Sequence, residues 1–516
     1  MMKTGSVQAA FATYALFSAV LLGGAASPAS AGASVDLADT PVPTLLGTSP
    51  GDRLGYCVAT GDIDGDGLPE LIVSAPGRDS GDGVPGAGAV YVIDDQELAL
   101  RDAPAMAEAV AALTIEGSHA HERIGETLLV ADLNGDGSQD LVVGSPGWGL
   151  GSDMRSGRAY VFLGPLTALG PAKCDDLADA AVRGSRHGDR LGSSLASADV
   201  DGDGVDELLL SAFRATDTDG VRSGSVYVIR ASALPERGAS RTAAELAMAE
   251  LRGERDGDAV RGIAVRSGRD GAPPTLVLGA YHADGPGDSS TDAGKVYLVR
   301  SDEVASLPLH SAVGIDAPVI IGPSPRAFLG RSIATGDMDG DGAEDIAVSA
   351  YASRLKRTKA DASGEVFLIF GTNGSPPDTL DLSDAEVPRF TSESRWDLFG
   401  LPILMCDVNG DGSDDLIVAS QFADSDDGER QRCGKVHLYR GGLRSVIEAK
   451  TGKAKLADVI ITGGRAFDSI GGSLAVVTEA DGTVRLVVGS PDATDDDGGA
   501  ASGRVYVVPA ALLKAR

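Results

Sequence analysis

The sequence predicts an all-β protein, a seven-bladed β-propeller of four-stranded antiparallel blades, and three observations support this. One acidic loop of nine residues occurs five times along the 516-residue chain. Strand-like segments around it recur in seven units of about 69 residues each. Each unit except the last contains four short runs of β-branched and aromatic residues bounded by glycine, a pattern typical of propeller blades. We therefore expect one propeller domain spanning residues 32–516.

The seven repeats are evenly spaced, which favours a closed ring over a set of separate domains. Their first residues lie near Leu46, Ile115, Val182, Leu251, Ile321, Phe390 and Ile461.

The first repeat shows how each unit is built. Its first strand follows Leu54-Gly55 and runs to the acidic loop, and the apolar run Leu71–Pro76 is the second strand. The third strand is Val90–Ile93, and Leu113–Gly117 after a variable connection is the fourth. Short length, β-branched residues and flanking glycines support each of these assignments.

The last repeat ends at its third strand, near Val508, and lacks a fourth. A strand without a partner, Pro43–Gly47, precedes the first repeat. We predict that this N-terminal strand completes the seventh blade, because pairing there would cover an exposed sheet edge and tie the two ends of the ring together.

The acidic loop predicts five calcium sites, in repeats one, two, three, five and six. Oxygens at positions 1, 3, 5 and 9 and the carbonyl of position 7 can converge on one hard cation, while glycines at positions 4 and 6 permit the tight turn. An EF-hand is excluded because position 12 is apolar and lies in a strand, and magnesium retains its waters too strongly for such a cage. The predicted ligands are Asp62, Asp64, Asp66, Leu68 and Glu70; Asp132, Asn134, Asp136, Ser138 and Asp140; Asp199, Asp201, Asp203, Val205 and Glu207; Asp337, Asp339, Asp341, Ala343 and Asp345; and Asp407, Asn409, Asp411, Ser413 and Asp415.

Repeats four and seven depart from this pattern. At the same place they offer Ser267-Gly-Arg-Asp270 and Thr478-Glu479-Ala-Asp481. Neither provides the alternating carboxylates, so we predict no calcium in these two repeats.

The N-terminus predicts export. Lys3, the apolar run Phe11–Leu22 and the small residues Ala29-Ser-Ala31 are typical of a signal peptide over residues 1–31, and the run is short for a membrane anchor. We expect a secreted, monomeric protein without a membrane span.

Charge and cysteine content exclude other classes. The net charge of −31 argues against nucleic acid or an anionic membrane as a partner. Four cysteines are too few for a disulfide scaffold, although Cys406 and Cys433 lie in one repeat and could pair.

The repeats resemble the FG-GAP repeats of the integrin alpha-chain head. The Phe-Gly signature survives as Phe399-Gly400 and the Gly-Ala-Pro signature as Ser74-Ala-Pro76 and Gly489-Ser-Pro491. The resemblance implies a seven-bladed propeller with calcium loops and an extracellular protein or glycan as ligand. No leg domain, membrane span or cytoplasmic tail can be read here, so we expect a free-standing secreted propeller.

No catalytic constellation is evident, and we expect a non-catalytic binding or adhesion module. Gly47-Thr-Ser49-Pro-Gly51 formally matches a nucleophile elbow, but it precedes a strand where that motif requires a helix. The alternatives are a calcium-dependent polysaccharide lyase, a phospholipase-like hydrolase on a propeller scaffold, or a sugar-binding propeller.

Overall fold

The structure is a computed structural model. It describes residues 32–94, 103–149, 155–167, 170–285, 291–309, 311–315, 317–353, 364–371, 378–384, 386–392, 397–442, 444, 452–453, 456–479, 482–494 and 501–514. The predicted signal peptide lies outside these residues. Residues from Ala31 to Arg516 form one compact unit.

Strands dominate the described residues. Up to the third repeat they are β1 (Ala33–Asp36), β2 (Thr44–Leu46), β3 (Val58–Gly61), β4 (Glu70–Ala75), β5 (Ala89–Ile93), β6 (Ala105–Met106), β7 (Leu113–Glu116), β8 (Thr127–Ala131), β9 (Asp140–Ser145), β10 (Arg158–Phe162), β11 (Gly170–Lys173), β12 (Ala180–Arg183), β13 (Leu191–Ala198), β14 (Glu207–Ala212), β15 (Ser225–Ile229), β16 (Ser240–Thr242) and β17 (Ala249–Arg252). Thereafter they are β18 (Val260–Arg266), β19 (Thr275–Ala280), β20 (Lys295–Arg300), β21 (Ser311–Gly314), β22 (Val319–Ile321), β23 (Ile333–Gly336), β24 (Asp345–Ala350), β25 (Glu365–Ile369), β26 (Thr379–Asp381), β27 (Arg389–Thr391), β28 (Ile403–Cys406), β29 (Asp415–Ser420), β30 (Lys435–Tyr439), β31 (Gly452–Lys453), β32 (Val459–Thr462), β33 (Ser473–Thr478), β34 (Val484–Ser490) and β35 (Arg504–Val508).

The described helices are single turns in the connections between strands. They are α1 (Ala107–Val110), α2 (Cys174–Leu177), α3 (Ala243–Leu246), α4 (Ser301–Ala305) and α5 (Ala510–Leu513), with 3₁₀ turns at Ala231–Ala233 and Arg269–Gly271.

The strands form seven small sheets, one for each predicted repeat. In blade one the order is β3-β4-β5-β7-β11, and the other six sheets repeat this arrangement. The first strands of neighbouring blades contact one another in a closed cycle, from β3 through β8, β13, β18, β23 and β28 to β33 and back to β3. The fold is therefore a seven-bladed β-propeller with the first strands innermost, as the sequence predicts.

Each sheet has one strand more than the four antiparallel strands expected. The fifth pairs in parallel with the fourth and comes from the next blade's connection between its third and fourth strands. In blade one, β11 runs beside β7 with Ala172 opposite Ile115. These short segments link each blade to the one that follows.

The N-terminal segment lies between the last two blades. Thr44–Leu46 pairs antiparallel with β35, with Thr44 opposite Tyr506, and β1 runs parallel to β32 of blade six. That this pairing holds the ring closed stays a prediction.

Successive side chains of each second strand point to opposite faces of the blade, and this alternation explains how the core is built. Every residue of β4 is buried, because blades cover both of its faces. Leu71 and Val73 pack against Val487 of blade seven, whereas Ile72 packs with Leu141 of blade two. Alternate residues of one strand therefore supply two interfaces between blades.

The Gly of the Phe-Gly signature is required by close packing. A Cβ atom on Gly125 would lie 2.6 Å from the side chain of Ser74, and the backbone there has a φ of +83°. Residue 125 must therefore be small and adopt a left-handed conformation.

All four cysteines are free thiols, so the suggested bond between Cys406 and Cys433 does not form. Among the residues that the structure describes, no helix is long and apolar enough to cross a membrane.

Candidate metal centre

Each acidic loop joins the first and second strands of a blade, as predicted. The first loop lies between β3 and β4, and its ninth residue, Glu70, opens β4. The ninth residues of the other loops likewise open β9, β14, β24 and β29. Strand geometry therefore fixes one end of every loop.

The carboxylate at position 1 organises the turn. Asp62 accepts hydrogen bonds from Gly65 N–H through Oδ1 at 2.8 Å and from Gly67 N–H through Oδ2 at 2.9 Å. The bond to the sixth residue recurs in all five loops at 2.8–3.1 Å. Both glycines of this first loop have positive φ angles, so their backbone N–H groups can turn inward.

Positions 3 and 5 support the turn in the same way. Asp64 Oδ1 accepts from Asp66 N–H at 3.0 Å, and Asp66 Oδ1 accepts from Leu68 N–H at 2.8 Å. Each carboxylate retains a second oxygen that these backbone bonds leave available for a cation.

Three loops bring three carboxylates together, with one oxygen of each within 4.8 Å of the others. The clusters are Asp62, Asp64 and Asp66; Asp199, Asp201 and Asp203; and Asp337, Asp339 and Asp345. Three negative charges at this separation repel one another, and a divalent cation reverses the sign of that interaction. The residues in these three loops therefore fit a divalent cation.

An amide occupies position 3 in the other two loops. Asn134 Nδ2 donates to Asp136 at 2.9 Å, and Asn409 Nδ2 donates to both carboxylate oxygens of Asp415 at 3.2 Å. These donors offset part of the negative charge, and calcium at these loops would need the amide oxygen instead.

The side chains at position 9 differ in how they lie relative to the carboxylate clusters. Only Asp345 joins a carboxylate cluster, whereas Glu70 and Glu207 do not appear in the clusters of their own loops. Glu70 Oε2 instead accepts from Ile63 N–H at 2.8 Å, and Glu207 Oε2 accepts from Val200 N–H at 2.8 Å. Asp140, Asp345 and Asp415 accept the same bond, so position 9 caps the backbone at position 2 in all five loops.

The carboxylates at position 9 are buried, with 0–3 % of their surface exposed. Burial raises the pKa of Glu70, Glu207 and Asp345 to about 7 and that of Asp415 to about 6. A bound cation would favour the charged form of these groups.

Two arginines that the sequence analysis missed reach the loops. Arg230 donates Nε to Asp201 Oδ2 at 2.8 Å, and Arg444 donates Nε to Asp339 Oδ2 at 3.0 Å. Both follow the third strand of a blade, so only the fold brings them to position 3 of the loop.

The corresponding turns of blades four and seven are built differently. The first contains the 3₁₀ turn Arg269–Gly271, and in the second Glu479 forms an ion pair with Arg485. The carboxylate clusters found among the described residues lie in the loops of blades one, three and five.

Ser49 lies in a turn between β2 and β3, and its N–H donates to Asp52 Oδ2 at 2.7 Å. No helix follows it in the described chain up to β3, so the nucleophile-elbow geometry is absent there.

Comparison with known proteins supports the repeat assignment. The model of the FG-GAP repeat family matches residues 54–93, 124–162, 191–229 and 329–369, in blades one, two, three and five. Integrin alpha-PS2 of Drosophila melanogaster is 29% identical over 244 residues, which is 45% of this chain and 15% of that protein.

Longer matches are to an enzyme. Phosphatidylinositol-glycan-specific phospholipase D of Rattus norvegicus is 26% identical over 427 residues, covering 78% of this chain and 47% of that protein. The Homo sapiens protein of the same name is 26% identical over 446 residues, covering 81% and 49%. The chain thus spans about half the length of these relatives.

These matches correct one prediction. We expected a non-catalytic protein, but relatives aligned over about four-fifths of the chain are named as a phospholipase, so that expectation is wrong. The expectation of a non-catalytic protein rested on the absence of a recognisable catalytic motif, and that absence is poor evidence in a repeat protein. The chain is therefore a seven-bladed β-propeller that contains FG-GAP repeats and has integrin alpha chains among its relatives.

Proposed function

We propose that this chain is an extracellular, calcium-loaded propeller that takes part in hydrolysis of phosphatidylinositol-glycan anchors. The observation that carries the proposal is the alignment with phosphatidylinositol-glycan-specific phospholipase D over 78% of the chain. Export is supported by the signal-like N-terminus over residues 1–31.

Calcium is the cation that the loops favour. Three loops gather three carboxylates each, and their remaining predicted donors are a further carboxylate and a backbone carbonyl, a hard ligand set suited to calcium. The role of the ion is structural: in each blade that carries an acidic loop, it cancels repulsion among the carboxylates of that loop.

Hydrolysis of the phospholipase D class adds water across one bond of a phosphodiester. The oxygen of water binds phosphorus, the bond from phosphorus to the head-group oxygen breaks, and phosphatidate and the head-group alcohol leave. For an anchored protein, the products are phosphatidate in the membrane and a free protein carrying the inositol glycan.

The test uses the full chain and a glycosylphosphatidylinositol-anchored alkaline phosphatase in detergent micelles. Transfer of phosphatase activity from the detergent phase to the aqueous phase, with release of phosphatidate, is expected when calcium is present. The double variant Asp62→Asn, Asp64→Asn should release less, whereas Asp302→Asn, an exposed acidic residue outside the loops, should match wild type. No release by folded, calcium-loaded protein would overturn the proposal.

A second candidate is calcium-dependent adhesion to an extracellular protein or glycan. It is favoured by the match to integrin alpha-PS2 over 244 residues. Binding to arrayed glycans and matrix proteins that disappears with a chelator would support it, and equal binding with and without calcium would count against it.

A further inference from the structure

Arginines gather at the end of the ring opposite the acidic loops. A cavity of 630 Å³ opens there, and its basic lining residues come from blades two to five: Arg123, Arg155, Arg190, Arg261 and Arg331. In blade two, Arg123 comes before β8 and the acidic loop comes after β8. The arginine and the loop therefore lie at opposite ends of this strand. A strand of five residues separates them by about 17 Å.

The charge of this arginine cavity opposes that of the whole chain. Among the residues that the structure describes, one carboxylate, Glu126, lines it beside the five guanidinium groups. Glu126 accepts a hydrogen bond from Arg123 Nε, and so only one of the five cations has its charge directly paired by it. Among the described lining residues His121 is one more titratable group, and the others are neutral or aromatic, including Tyr56 and Phe213. A local excess of positive charge on a chain of net charge −31 is unexpected unless it binds an anion.

The buried donors of the cavity are not all satisfied. The Nε atom of Arg261 is buried and has no hydrogen-bond partner in the described part of the chain. Leaving a charged donor unpaired away from water costs more than leaving a neutral one, so a ligand that accepts from it would be stabilised.

The arginines also repel one another. Burial, followed by the charge of Arg261, lowers the pKa of Arg331 to about 10, and burial and the charge of Arg155 lower the pKa of Arg190. An anion bound among these arginines would offset the repulsion between their charges.

Aromatic rings and the repeat geometry fix the positions of the cations. Arg261 Cζ lies 5.0 Å from the centroid of the Phe213 ring, and Arg331 Cζ lies 5.7 Å from that of Tyr281. Arg123 and Arg190 occupy the same position of successive repeats, with φ angles of +59° and +58°. The cavity is therefore assembled before a ligand arrives, which reduces the entropy lost on binding.

We propose that the arginine cavity binds a phosphoryl group, either as free phosphate or as the phosphate monoester of a small polyol. Guanidinium groups present paired donors that match the oxygens of a tetrahedral oxyanion, and several together suit a dianion better than a single carboxylate. The volume lies within the usual range for small-ligand sites, about 300–1,000 Å³, and exceeds what phosphate alone would fill. The site is separate from the acidic loops, so this inference does not depend on calcium or on hydrolysis.

Isothermal titration calorimetry at constant ionic strength, with inorganic phosphate and with myo-inositol 1-phosphate, tests the proposal. Both probes should bind, and Arg261→Gln should weaken binding by about tenfold or more, as expected for loss of a charged hydrogen bond. Arg300→Gln, which removes an exposed arginine paired locally with Asp302, should leave affinity unchanged.

Because Arg261 is partly buried, its substitution could disturb folding, and a second variant at an exposed arginine separates loss of binding from misfolding. Arg155 is exposed at the rim, and Arg155→Gln should fold normally and still weaken binding. Tighter binding of myo-inositol 1-phosphate would identify a polyol ester as the ligand, and equal affinities would identify phosphate itself. Failure of both probes to bind folded wild-type protein, or binding that neither variant weakens, would overturn the proposal.

Discussion

Asp407 Oδ2 accepts a hydrogen bond from the backbone N–H of Gly412, five positions further along the chain, at 2.8 Å. The same bond between the first and sixth residues occurs in all five acidic loops. In three of these loops the turn also brings three carboxylates together, which is the arrangement that a cation requires.

This relationship makes Gly412 a sensitive position. Its φ is +88°, and a Cβ atom there would meet nothing within 4 Å, so a substitution adds backbone strain without a clash. Gly412→Ala should lower the free energy of unfolding by about 1–2 kcal/mol, measured by urea denaturation with calcium present. Gly412→Asn should lose less, because asparagine tolerates positive φ; equal losses would show that strain is not the cause.

Ring closure by the N-terminal strand can be tested at Leu45. This residue is 3% exposed and stands opposite Val505 of β35, so its truncation leaves a cavity between the two ends of the ring. Leu45→Ala should lower the free energy of unfolding by about 2–5 kcal/mol.

Leu309→Ala is the matched control for that variant, since Leu309 is 63% exposed and the same atoms are removed. Thermal unfolding of both variants decides the matter. If Leu45→Ala behaves like Leu309→Ala, the N-terminal strand does not hold the ring closed.

The blade count and the positions of the first, second and third strands could be predicted, because each is encoded within one repeat by period-two burial and glycine punctuation. The fifth strand could not be. Gly170–Lys173 carries no strand-like pattern, and it extends only because Leu113–Glu116 of the previous blade offers a free edge. Local sequence patterns do not predict pairing between distant segments of variable sequence.

The candidate sites show the same division. The acidic loops were found because all their residues fall within nine positions, although the capping role of Glu70 and the approach of Arg230 depend on side-chain reach in the fold. The arginine cavity was missed because its members are distant in sequence. A signal did exist: Arg53, Arg123 and Arg190 hold the same position of three repeats.

The burial of Asp189 should make the free energy of unfolding depend on pH. It is 1% exposed, and burial raises its pKa from an ordinary value of 3.8 to about 6. Between these values the folded protein binds more protons than the unfolded chain, so stability falls as pH rises from about 4 to about 6. The loss attributable to this residue should be about 2–3 kcal/mol.

Asp189→Asn removes that titration while retaining an oxygen to accept from Arg186 N–H. The free energy of unfolding of the variant, minus that of wild type, should therefore be larger at pH 7 than at pH 4. Urea denaturation of both proteins at both pH values measures this difference. A stability difference between the two proteins that stays constant with pH would show that Asp189 has an ordinary pKa.

The four cysteines should all react as thiols. Cys174 and Cys433 are buried and should be protected in the native protein, whereas alkylation after denaturation should add four groups by mass spectrometry. A mass increase of only two groups without a reductant would instead support a bond such as that between Cys406 and Cys433.

Calcium binding by the acidic loops is the central claim, and metal content after equilibrium dialysis against calcium tests it most directly. We predict five calcium ions per chain, together with a melting temperature that falls when a chelator removes them. A dialysed, folded protein that retains no calcium and melts at the same temperature in chelator would contradict the account.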